Sequence, residues 1–102
     1  MVRVQTERFE PGALQDQLAG NSAVGAVVTF TGYVRQTDTL ELEHYPGMTE
    51  AVMADLRQQA IERFALEGAI IVHRVGPLST GEPIVWVGTS APHRGDAFKG
   101  AM

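Results

Sequence analysis

The chain has 102 residues, 44% of them hydrophobic and 20% charged, which predicts one globular domain and excludes a disordered chain. Twelve acidic against eight basic side chains leave a net charge of −4, which excludes a duplex-coating nucleic-acid binder that must neutralise many phosphates. Cysteine is absent, so thiolate nucleophiles, Cys-ligated zinc, iron–sulfur clusters and a persulfide carried on this chain are excluded as well.

No apolar run approaches the ~18 residues of a membrane span. The segment Met1–Glu10 carries Arg3, Glu7, Arg8 and Glu10 with no apolar block, unlike a signal peptide. Together with the missing cysteine, this predicts a cytoplasmic protein without a membrane partner. Pro11 then opens a short helix in which Ala13, Leu14, Gln17 and Leu18 form a stripe, and Gly20-Asn21 stop it.

Gly25 to Arg35 (GAVVTFTGYVR) is rich in β-branched and aromatic residues and reads as a strand. Its alternation puts Val28, Phe30 and Val34 on one face and Val27, Thr29, Thr31 and Tyr33 on the other. Leu40 to Tyr45 predicts a second, half-buried strand, and Tyr45-Pro46-Gly47-Met48 a type II turn. Thr49 is the expected cap of a long helix with Met53, Leu56, Ala60 and Phe64 inward and Arg57, Gln58, Glu62 and Arg63 facing elsewhere.

The apolar runs Ala69–Val75 and Pro83–Val87 predict an antiparallel pair joined by turn material over 76–82. Both faces of the second run are apolar, Ile84 and Trp86 on one and Val85 and Val87 on the other, so it should be central. Thr89-Ser90-Ala91-Pro92 reads as the entry to a last helix, two or three turns of which precede Met102.

Pro92-His93-Arg94 is the most informative constellation. A helix start exposes N–H groups that favour an anion, and an arginine adds a bidentate phosphate donor. The plainer reading makes both residues solvated members of a first turn. Cations there oppose the helix dipole, which calls for a compensating reason. Arg35, closing the strand that holds Phe30, reads either as a guanidinium at a pocket edge or as a solvent-facing strand end. His44, His73 and His93 lack the local spacing of metal ligands, so no metal site is expected, and His73 reads as a hydrogen-bonded structural residue. Glu41 and Glu43 share a strand face and read as solvated.

Several of these stretches together resemble the large, catalytic subunit of molybdopterin synthase. The resemblance rests on Gly25–Arg35, on Leu42–Glu50 (LEHYPGMTE) and on His73-Arg74-Val75-Gly76. It continues through Gly81 with Ile84-Val85 and ends on Ser90-Ala91-Pro92-His93-Arg94 with Ala97-Phe98. It implies an α+β fold of the α/β hammerhead type, an antiparallel sheet flanked by helices, in one domain over residues 1–102. It also implies a homodimeric core of a heterotetramer, with a small ubiquitin-like subunit at each end. That subunit's C-terminal Gly-Gly thiocarboxylate would enter a pocket and pass sulfur, in two rounds, to a cyclic pyranopterin monophosphate. An external sulfur donor suits a chain with no cysteine, and no cofactor is expected. By the matching motifs Phe30 and Arg35 would line the pocket, while His93 and Arg94 would bind substrate, reaching across from the other protomer.

Two departures stand beside the resemblance. The family's last helix runs on to two catalytic lysines that this sequence stops short of, so these 102 residues alone should be impaired in catalysis and the catalytic residue stays unassigned. Lys99 occupies a position where the family usually has an acidic residue, and the segment between Arg35 and Leu42 is short. A non-catalytic dimeric module that binds a ubiquitin-like partner is the alternative reading.

Overall fold

The computed structural model describes residues 1–20, 22–35, 39–42 and 48–102. In chain order the elements are β1 (Val2–Gln5), α1 (Pro11–Leu18), β2 (Ala26–Tyr33), β3 (Thr39–Leu42), α2 (Met48–Phe64), β4 (Gly68–Arg74), β5 (Gly76–Ser79), β6 (Pro83–Ala91) and α3 (Arg94–Ala101). The main sheet has the strand order β1-β4-β6-β2, and β3 and β5 pair in a separate two-stranded ladder.

β4 and β6 occupy the interior positions, as two-sided apolar strands must. The predicted antiparallel β4–β6 pair forms, with Ile71 opposite Val87 and Val72 opposite Trp86. β2 adds antiparallel to β6, with Phe30 opposite Val87. The sheet is nevertheless mixed rather than purely antiparallel, because β1 adds parallel to β4.

Alternation along the strands sends two apolar sets to opposite faces. One face carries Ile70, Val72 and Trp86, which pack with Phe9, Leu14 and Leu18 beneath α1. The opposite face carries Ala69 and Ala91, which pack with Leu66 and Ala97 beneath α2 and α3. Val27 belongs to the first cluster and Val28 to the second, in line with the alternation expected for β2. Buried Thr89 donates from Oγ1 to the Ala97 carbonyl at 2.6 Å, which fixes α3 to β6.

Several expectations are corrected. β6 continues to Ala91, so Thr89 and Ser90 are strand residues rather than a helix entry, and α3 starts only at Arg94. The small residues Gly88 to Ala91 stay extended because all four pair with β2, and Gly88 to Ser90 pair with β4 on the other side as well. Residues 76–79 form β5 instead of plain turn material, since their backbone pairs with β3. α2 begins at Met48, which puts Thr49 inside the first turn instead of at the cap. Leu56 is 57% exposed despite its helical spacing, and Arg57 turns inward to donate from Nε to the Ala69 carbonyl at 2.7 Å. Residues 43–47, which hold His44, the end of the expected strand and all of the expected Tyr45–Met48 turn but Met48, lie outside the described residues.

Candidate functional site

The geometry of the candidate residues follows from the β2–β6 ladder. Ala26 pairs with Ala91 at one end, and Tyr33 pairs with Pro83 at the other. Arg35 lies two residues beyond the second end, and His93 two residues beyond the first. β6 spans nine residues. At about 3.3 Å per residue, the two ends are separated by roughly 26 Å. Arg35 and the His93-Arg94 pair therefore cannot meet on one ligand within one copy of the chain.

At the His93 end the chain turns tightly out of the sheet. The Gly25 N–H donates to the Ala91 carbonyl at 2.9 Å, and a Cβ on Gly25 would run into the carbonyl of Pro92. The backbone at the head of β2 is thus pressed against the β6–α3 junction, which only glycine permits. His93 is the N-cap of α3 with extended backbone, its side chain makes no capping hydrogen bond, and Arg94 opens the helix proper. Both are exposed. Asp96, in the same first turn, supplies the negative charge that the helix dipole favours and offsets the neighbouring cations.

At the other end, buried Val34 is held by both of its backbone groups. Its N–H donates to the Glu82 carbonyl at 3.0 Å, and its own carbonyl accepts the Gly81 N–H at 2.8 Å. Arg35 follows and is exposed. Gly81, at φ 91°, provides the left-handed backbone that this tight β5–β6 turn requires.

Phe30 stands midway, 47% exposed. Its ring forms part of the wall of a cavity of about 380 Å³ between α2, α3 and the sheet, together with Leu56, Phe64 and Val87. Arg57, Arg63 and Lys99 also line this cavity, and among the described residues no Asp or Glu side chain does. A chain of net charge −4 thus places three of its eight cations around one apolar opening. These three were missed as site residues in the sequence. Arg57 and Arg63 lie six apart on α2, a spacing that looks like a solvated face until the helix is seated on the sheet. Arg63 lies over the Phe64 ring at 5.4 Å from its centroid.

His73 is structural as expected. Its Nδ1 lies 2.7 Å from the Arg74 carbonyl, to which it donates when that nitrogen carries the proton.

The described fold is a mixed sheet with one helix on one face and two on the other, and exposed cations beyond both ends of one strand pair. This defines a class of small α+β proteins whose charged ends suit anionic ligands. Within that class the chain belongs to the MoaE protein family, whose model matches residues 4–102. It is 46% identical over 105 residues to the molybdopterin synthase catalytic subunit of Cereibacter sphaeroides, covering 98% of this chain and 72% of the relative. The molybdopterin cofactor biosynthesis protein E of Burkholderia multivorans superposes with a TM-score of 0.93 at 46% identity, over 99% of this chain and 70% of that one. Molybdopterin synthase from Staphylococcus aureus gives a TM-score of 0.85 at 34% identity, over 96% and 75%.

Proposed function

We propose that the chain acts as the sulfur-transferring catalytic subunit of molybdopterin synthase. The observation that carries this reading is its 46% identity, across 98% of its length, to a relative named as that subunit. In this reading a small ubiquitin-like subunit brings sulfur as a thiocarboxylate on its C-terminal Gly-Gly. Two transfers to cyclic pyranopterin monophosphate then build the dithiolene of molybdopterin. A chain without cysteine has to receive its sulfur in this way or a similar one. A cytoplasmic site of action goes with the reading.

The roles assigned to the residues follow their chemistry. Thiocarboxylate and cyclic phosphate are both anionic, so cations must screen their approach. Phe30 and Arg35 form the pocket wall and its charged edge, while His93 and Arg94 hold the phosphate. The separation along the ladder supports a site shared between two copies, Arg35 from one and His93-Arg94 from the other. A homodimeric core with a small subunit at each end provides that arrangement. The imidazole of His93 stands beside the proposed phosphate site and is suited to move a proton there.

The test mixes the protein with the small subunit, intact or lacking its last two glycines, and follows binding by calorimetry. Molybdopterin formation is then measured with the thiocarboxylated form and the pterin. Tail-dependent binding, at least tenfold weaker without the glycines, is expected. Equal affinity for both forms, with no transfer of sulfur, overturns the reading.

A further inference from the structure

Arg74 is 5% exposed, yet it brings a permanent charge into the fold. Its Nε and Nη2 donate to the Thr6 carbonyl at 3.2 and 3.1 Å, and its Nη1 donates to the Pro83 carbonyl at 3.0 Å. The same Nη1 lies 3.5 Å from Glu82 Oε1. The second carboxylate oxygen of Glu82 accepts the Ser79 N–H at 2.6 Å. One guanidinium therefore ties together the segment after β1, the start of β6 and the tip of the β5–β6 turn.

Burying a guanidinium carries a desolvation penalty that a well-packed apolar side chain avoids, so bulk stability does not account for it. What the charge does specify is the place of the turn, because Thr6 on one segment and Glu82-Pro83 on another must present three oxygens to one planar fork. That turn is the one whose Gly81 N–H and Glu82 carbonyl grip Val34. Arg35 is the next residue. Among the described residues its guanidinium has no hydrogen-bond or ion-pair partner, so its backbone alone sets where it stands.

We infer that Arg74 and Glu82 are positioning residues for Arg35: they fix the β5–β6 turn, the turn fixes Val34, and Arg35 is thereby held in place for an anionic substrate. The inference rests on the pocket-edge role given to Arg35 above. Arg74 touches no substrate and acts only through this chain of hydrogen bonds.

A double-mutant cycle tests it, with affinity for cyclic pterin monophosphate as the readout and a thermal melt of each variant as control. Arg74→Lys keeps a charge but loses the planar fork, and Glu82→Gln keeps the shape of the side chain but loses its charge, so at least one variant should fold. Each is expected to weaken pterin binding about two- to tenfold, the range for one hydrogen bond. In an Arg35→Ala background neither should cause a further loss. Arg35→Ala weakening binding while Arg74→Lys and Glu82→Gln bind normally overturns the inference alone. The same holds if their losses simply add to that of Arg35→Ala, since that would mark a general structural effect. Normal binding by Arg35→Ala itself removes the pocket-edge role and the inference together.

Discussion

Arg94 opens α3 with no helical partner for its charge on the favourable side of the dipole. If it holds the substrate phosphate, Arg94→Ala should weaken pterin binding ten- to a hundredfold, the loss of a charge-assisted pair of about 1.5–3 kcal/mol. Stability should stay level or rise slightly, because a cation leaves the helix N-terminus. Arg94→Lys should restore part of the binding, since a point charge cannot reproduce the planar fork. Pterin titrations beside thermal melts check this, and unchanged titrations would make Arg94 a solvated first-turn residue. Glu82 gives a separate, pH-dependent expectation. The Ser79 N–H, and then the Arg74 charge, hold its carboxyl below the ordinary value of 4.5. A lowered folded value means the stabilisation is fully present above about 4.5 and is lost as pH falls through the folded value. Urea midpoints of wild type and Glu82→Gln should differ at neutral pH and converge in acid. A gap that widens in acid would contradict the assignment.

At the scale of elements, the junction of β6 with α3 depends on what it presses against. Gly25→Ala must push the Pro92 carbonyl away, and overpacking of this kind costs about 1–3 kcal/mol. A lower melting temperature is expected, together with weaker pterin binding because the backbone under His93 shifts. An unchanged melt would mean the junction yields freely. The strand that Gly25 precedes was legible from its β-branched alternation, and the central place of β6 from its two apolar faces. Other elements carry no local signal. Val2–Gln5 is only four residues long and extended because β4 offers it an edge, while Gly76-Pro77-Leu78-Ser79 contains poor strand formers and depends on β3. Leu56 has the spacing of a core residue but stands at the cavity wall. Helical periodicity says which residues share a face and is silent on how far that face reaches under its neighbours. The His93-Arg94 pair was visible because its members are adjacent in sequence. The distance separating it from Arg35 is a property of the ladder, and no motif encodes it.

The whole molecule turns that distance into a statement about stoichiometry. If each site takes Arg35 from one copy and Arg94 from the other, a dimer of Arg35→Ala with Arg94→Ala has one site that loses both arginines and one that keeps both. Mixing equal amounts of the two variants under exchange makes about half of the dimers hybrid, so roughly a quarter of wild-type pterin sites should return. Each variant alone should fill far fewer sites at the same pterin concentration, because every one of its sites lacks an arginine. Titration of the mixture against the separate variants measures this directly. No recovery, with subunit exchange demonstrated by mass, would rule out a site shared between two copies in this way.

The parallel pairing of β1 with β4 has a consequence for how the chain is made. Val2 must find Ile71, and Gln5 must find Arg74, across almost the whole intervening sequence. Closing so long a loop is entropically dear and slow compared with joining β4 to β6 across a short connection. On the ribosome, β1 emerges first and yet has no partner until β4 has left the exit tunnel. Of the strands in this sheet, the one made earliest is thus the last to dock. Pulse-labelled amide exchange during refolding should find Arg3 and Gln5 protected later than Val72 and Trp86. Until that moment the outer edge of β4 is open to a neighbouring chain, and the window for mispairing is set by the time β1 takes to return.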